Sequence, residues 1–423
     1  MTARTIAGLA LALVACTTIA GGTTVGSERQ LEGRAPTPAE LTPSVESAFL
    51  RESYAPGARA TLVVSNRARG LVLQVFRCGP ERIVTRSDLT MNGVPVTPKR
   101  RVGASTGGRI VPIRIGSWPS GLYFVRLQAE DGRIGFAPFV VRPRRLGEHR
   151  VAVVLPTLTW QAYNLRDDDG DGVGDSWYAR WRTKTVRLGR PFLSRGVPYN
   201  FRRYDLPFLN WVAHTGKAVD VLAQSDLESA ATARGLAAAY DLIVFPGHHE
   251  YVTKREYDLV EGFRDLGGNL MFLSANNFFW RVERRGASIT KTRLWRDVGR
   301  PEASLIGVQY LANGKAPRQP WIVRRSRAGS WIFAGTGLRE GSRLGRGGVE
   351  VDRTASASPR GIEVVAEIPD LFGPGMTAQM TYYETAKGAK VFAAGAFYFT
   401  RLVHVDPVTS GILQNLWARL TSE

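Results

Sequence analysis

Apolar and polar positions alternate in the first third of this chain, whereas later segments carry short continuous apolar runs. Between residues 46 and 143 the runs ATLVVSN, LVLQVFRC, RIVPIRI, GLYFVRLQA and GFAPFVVRP have strand length. Turn residues such as Asn92-Gly93 and Asp131-Gly132 separate them. Five or more short strands at this spacing predict an all-β sandwich of the immunoglobulin or fibronectin kind. No cluster of titratable residues falls within it, so it reads as a structural or docking module.

The segment RPRRLGEHR (142–150) reads as a linker, after which the period changes. VAVVLP, AVDVLA, YDLIVFP, NLMFLSA and AKVFAAGAF are continuous apolar runs, the pattern of strands covered on both faces. Helical patterns lie between several of them. DLPFLNWVAHTG stops at Gly216, and Thr253-Lys-Arg-Glu256 has the form of a capping box before a helix closed by Gly267-Gly268. This alternation predicts an α/β domain over 150–423, built on a doubly wound and mostly parallel sheet. In such sheets ligands bind beyond the carboxyl ends of the strands. The loop FPGHHEYV (245–252) falls there, as do TWQAYN (159–164) and Asn276-Asn277. Two of the five histidines in the chain stand side by side in that loop.

Charge changes the picture less than its size suggests. There are 56 basic and 37 acidic residues, a formal net charge of +19. The arginines are scattered singly, without a dense basic tract or an aromatic-plus-basic motif, so no nucleic-acid partner is expected. The leading residues point the same way. Arg4, the apolar run IAGLALALVA and Leu13-Val14-Ala15-Cys16 together read as an export signal, residues 1–16, ending like a bacterial lipoprotein box. A flexible tether over 17–45 would follow. The expectation is an exported bacterial protein, secreted or held at the cell envelope through a lipidated Cys16. Besides Cys16 only Cys78 remains, and it reads as a small buried hydrophobe.

Several chemistries are excluded by the residues. There is no GxSxG elbow and no HExxH, and Cys78 lies in the other domain. His, Glu, Tyr and Asn remain around FPGHHEYV, a donor set suited to harder metals including iron. A tyrosine there would need a cation to lower its pKa from about 10 before it bound as tyrosinate. The alternative is that the loop only caps the following helix.

TWQAYN (159–164), YDLPFLNW (204–211), VDVLAQSDL (219–227), the stretch from Gly247 to Val282 and WIFAGTGL (331–338) resemble the C-terminal domain of the N,N-dimethylformamidase beta subunit family, over roughly 150 to 420. That family usually shows GHDEYW where this chain has His249 and Val252. The resemblance implies a mononuclear ferric iron (Fe3+) held by Tyr163, Tyr204 and Glu250. It further implies that His248 acts as the nearby acid/base or orienting group and that Asn276 helps hold substrate or water. The implied reaction is metal-assisted hydrolysis of the C–N bond in a small amide-type substrate.

A second metal question is acidic. In DDDGDGVGDSWY (167–178), Asp167, Asp169, Asp171, Gly172 and Asp175 match positions 1, 3, 5, 6 and 9 of a calcium loop. Tyr178 stands at position 12, where a bidentate Glu is usual, so Ca2+ would lack that ligand. The family usually has a Gly-rich turn here, so the loop is a departure close to Tyr163. The aromatic residues Trp160, Trp177, Tyr178, Trp181, Phe278, Phe279 and Trp280 flank the same rim. The leading expectation is an exported iron amidohydrolase. The competing one is a non-catalytic envelope module that binds carbohydrate or protein, its rim stiffened by calcium.

Overall fold

A computed structural model describes residues 34–82, 86–180 and 183–421. The expected export signal, Cys16, most of the tether and Trp181 lie outside the described residues. The first unit is all β. A three-stranded antiparallel sheet, Ser47–Phe49, Arg59–Val64 and Arg109–Arg114, faces a six-stranded sheet centred on Arg67–Arg77, Gly121–Gln128 and Ile134–Val141. Alternate residues of the two sheets, Leu62, Val64, Val111, Leu73, Val125 and Phe139, form one shared core. Gly121–Gln128 is buried on both faces because its second face, Leu122 and Phe124, packs on the layer that follows.

That layer corrects the expected doubly wound sheet. It is one mixed sheet of eleven strands, and only 19% of the residues are helical. Asp220–Ala223, Val151–Leu155, Leu242–Phe245, Asn269–Phe272 and Lys390–Ala393 run parallel as neighbours. The sheet then continues antiparallel through Ala378–Glu384, Glu363–Ile368, Gln319–Val323 and Arg343–Arg353 to Gln309–Asn313. A further four-stranded sheet joins Thr185–Arg187, Ser288–Leu294, Trp280–Arg285 and Tyr251–Thr253. Apolar runs register that a strand is covered, not what covers it. Ala152, Val154 and Ile243 pack under helices Ala233–Ala239 and Lys254–Asp265. Val151, Val153 and Val244 pack on the other side against Phe208 and Leu209 together with the first unit's Leu122 and Phe124.

Local signals held where they concerned turns. Helix Leu206–His214 carries Pro207 in its first turn and ends before Gly216 at φ +68. Thr253 Oγ1 accepts from the Glu256 amide (3.1 Å), but the Glu256 carboxylate accepts from Gln224 Nε2 (2.8 Å), so the capping box is half formed. The run AKVFAAGAF is two strands rather than one. Gly395, at φ +68, breaks it where a Cβ would fall 2.0 Å from the Gln379 carbonyl, and Ala396–Phe397 crosses to pair with Arg343–Arg353.

Candidate metal centre

The carboxyl ends of three neighbouring parallel strands meet at one cavity of about 510 Å³. Val151–Leu155 leads through helix Thr157–Ala162 to Tyr163, Leu242–Phe245 leads to His248 and Glu250, and Asn269–Phe272 leads to Asn276. Gly247 is needed at the turn, because a Cβ there would lie 2.0 Å from Asp205 Oδ1. Asp205 sits on the near side of Tyr204, buried, and accepts from Trp160 Nε1 (3.2 Å). Burial pushes its carboxyl up to about 7, partly offset by the Trp160 bond and the neighbouring His248.

Three side chains converge on one oxygen. Glu250 Oε2 accepts from Tyr163 Oη (2.8 Å) and Tyr178 Oη (2.9 Å), and lies 3.0 Å from His248 Nε2. Tyr163 Oη and His248 Nε2 are themselves 3.2 Å apart. The far nitrogen of His248, Nδ1, is 3.1 Å from the Ala275 carbonyl, which fixes the ring and presents Nε2 to the cluster. Burial alone would hold this imidazole neutral. The carboxylates of Glu350 and Glu250 outweigh it and raise the group to about 9. The adjacent His249 is a different kind of residue. Its ring is buried edge-on to Phe245 at 4.9 Å, and burial drives it down to about 3. One histidine of the pair serves the cavity and the other is core.

Tyr204 lines the same cavity, but its hydroxyl accepts from Asn200 Nδ2 (3.3 Å) rather than joining Glu250. Its ring packs on Phe397 and Tyr398. Burial holds the phenols of Tyr163, Tyr178 and Tyr204 well above 10. All three are neutral unless a cation displaces their protons. Asn276 stands at φ +52 and donates its amide to both Asp352 oxygens (2.9 and 3.0 Å), while its side chain hydrogen-bonds Glu350.

Glu350 and Tyr178 are the residues that sequence reasoning missed in this role. Glu350 is buried on strand Arg343–Arg353, and burial pushes its carboxyl up to about 7, with His248 opposing and Glu250 adding. Its signal was faint: Glu350 and Asp352 occupy alternate positions in an otherwise apolar GGVEVD, hence one face of a strand. Tyr178 had been read only as a loop position and a rim aromatic. Non-glycine residues with positive φ also gather here. Asn200, Asn276, Phe278, Val349 and Tyr398 each adjoin a cavity residue or its support.

The donor set fits a hard cation. Oxygens and a nitrogen 2.8–3.2 Å apart around Glu250 are close enough to share one ion, and Glu350 Oε2 is buried without a hydrogen-bond partner. The acidic loop is separate. Asp167, Asp169 and Asp175 bring oxygens within 4.8 Å of one another, whereas Asp171 pairs with Arg180 (2.6 Å). Buried Arg190 ties this loop to the cavity's wall by donating to the carbonyls of Arg166, Asp175, Gln161 and Asn164.

Residues 111–408 match the family described as N,N-dimethylformamidase beta subunit-like, C-terminal. The match begins inside the first unit, earlier than the motifs alone suggested. Among curated proteins, the N,N-dimethylformamidase beta subunit of an Alcaligenes species is 24% identical over 377 residues, covering 66% of this chain and 49% of that protein. The beta subunit from Paracoccus aminophilus is 32% identical over 123 residues, 28% of this chain and 16% of that protein. The chain thus spans about half the length, or less, of the curated relatives it matches. Among solved structures, a superoxide reductase (neelaredoxin) from Ignicoccus hospitalis aligns at a TM-score of 0.16 and 7% identity, over 23% of this chain and 83% of that one. So low a score supports no argument. With the family matched over most of its length, this chain belongs to the N,N-dimethylformamidase beta subunit-like family.

Proposed function

We propose that this protein hydrolyses the C–N bond of a small amide, using a mononuclear iron held by Tyr163, Tyr204 and Glu250. The observation that carries the reading is the convergence of Tyr163 Oη and His248 Nε2 on Glu250 Oε2, beside the cavity that Tyr204 also lines. The relatives named as beta subunits of N,N-dimethylformamidase support amide hydrolysis as the class. Bound there, iron supplies Lewis acidity toward a carbonyl oxygen or a water. The chain's own groups handle the protons. His248 Nε2, 3.0 Å from Glu250 at the cavity wall, is placed to hand a proton to the departing nitrogen. Glu350, poised near neutrality, takes the proton of the attacking water, and Asn276 keeps that carboxyl in place. The aromatic walls Tyr163, Tyr199 and Phe397 exclude solvent from the reacting bond.

Elemental analysis and a visible spectrum of protein purified without chelators test the site. Near-stoichiometric iron with a tyrosinate-to-iron band, and amide hydrolysis that follows iron content, are expected. Protein that takes up no iron when supplied with it would overturn the reading and leave FPGHHEYV a structural loop. Export, with attachment through Cys16, is proposed from the leader residues alone. A calcium ion on Asp167, Asp169 and Asp175 is a separate proposal, supported by their spacing.

A further inference from the structure

A second cavity, of about 470 Å³, lies between the sandwich and the helices and four-stranded sheet of the second unit, apart from the proposed iron centre. Its walls are apolar: Phe49, Leu50, Phe139, Val140, Trp160 and Phe192. Volume and lining are those of a small-molecule pocket at a junction of two units. The polar groups around it are unevenly matched. Both carboxylates have partners. Glu52 Oε2 accepts from Thr157 Oγ1 (3.0 Å) and Ser225 Oγ (2.9 Å), while Oε1 is ion-paired with Arg284 Nη2 at 3.1 Å but accepts no hydrogen bond. Asp226 accepts from Ser53 Oγ (2.6 Å) and the Ala223 amide (2.9 Å).

The donors are not engaged to the same degree. Ser47, 2% exposed, has a hydroxyl with no hydrogen-bond partner, and Arg284 Nη1 is buried without one. Arg142 reaches Asp226 only at 3.6 Å, and Arg51 forms no ion pair among the described residues. A pocket with apolar walls, engaged acids and spare cationic donors selects a ligand that is apolar in body and accepts hydrogen bonds at one charged end. We propose that this junction binds an anionic amphiphile, an aliphatic monocarboxylate of medium chain length, with its carboxylate toward Arg51, Arg142 and Arg284.

Isothermal titration of the full chain with octanoate and with octan-1-ol tests this. Saturable octanoate binding is expected, at least tenfold tighter than that of the alcohol. The double variant Arg51→Gln/Arg142→Gln should weaken octanoate about tenfold and leave the alcohol unchanged. Ala287→Trp, placed at the exposed mouth, should abolish both while circular dichroism and thermal midpoint stay as in the parent. Ser229→Trp, also exposed at the mouth, serves if that variant fails to fold. Unsaturable heats, equal affinity for acid and alcohol, or octanoate binding that survives a folded mouth-blocking variant would each overturn the proposal.

Discussion

At the scale of single residues, the proposed iron site turns on which phenols would touch the metal and which would only support its carboxylate. Tyr178 donates to Glu250 and is linked to Tyr251 by a 2.5 Å hydroxyl contact, an arrangement suited to support. Tyr178→Phe is expected to weaken iron binding about 10- to 100-fold while keeping the tyrosinate band. Tyr204→Phe should remove both the band and the activity. The reverse outcome in a spectroscopic titration would exchange the two roles. Asp226 lines the junction cavity rather than the proposed iron site, and gives a pH signature of its own. Burial raises its carboxyl to about 6, above the ordinary 3.8. A folded-state pKa above the unfolded one means that its contribution is full below about 4 and is lost as pH rises through 6. Asp226→Asn, which cannot ionise, should therefore gain stability over the parent between pH 4 and 7, on the order of 2 kcal/mol. Urea denaturation at both pH values measures it, and a constant difference would refute the assignment.

At the scale of elements, the parallel strands and their following loops were legible, and the antiparallel half was not. Val151–Leu155 and Leu242–Phe245 are buried throughout, so their sequences are unbroken apolar runs. Gln319–Val323 and Glu363–Ile368 are only partly buried and interrupted by polar side chains, so their pairing depends on partners remote in sequence. That missing half is why a doubly wound sheet was expected. The same reasoning explains the site. His248 and Glu250 were legible because histidine is scarce and the loop follows a recognisable strand. Glu350 arrives by long-range pairing that no local pattern reveals. The turn between strand and site is the element most open to test. Gly247→Ala would press a methyl onto Asp205, and should cost about 1–3 kcal/mol and loosen iron binding, read by thermal midpoint and metal content. In the acidic loop, millimolar calcium should raise the thermal midpoint of the parent but not of Asp167→Asn/Asp169→Asn. No shift in the parent would remove calcium from the picture.

At the scale of the whole molecule, the cavity is an assembly of distant segments. Residues near 163, 178, 204, 250, 276 and 350 meet there, and Arg34 donates its amide to the Tyr178 carbonyl at the same wall. Such an assembly holds only if the rest of the fold outvotes the local preferences of its parts. Val349 shows this most sharply, because a β-branched residue at φ +72 is rarely tolerated. Val349→Gly should relieve about 1 kcal/mol after the entropy of glycine is counted, raising the thermal midpoint while activity falls. A lower midpoint would show that Val349 is not strained. The consequence reaches beyond one variant. Under laboratory selection for heat resistance alone, the first changes to accumulate should be glycine or asparagine at Val349 and Tyr398, where the left-handed backbone is strained and the side chain is not locked in the core. The survivors would be sturdier proteins with a blunted cavity, so the catalogue of their mutations would trace the outline of the site without any substrate being known.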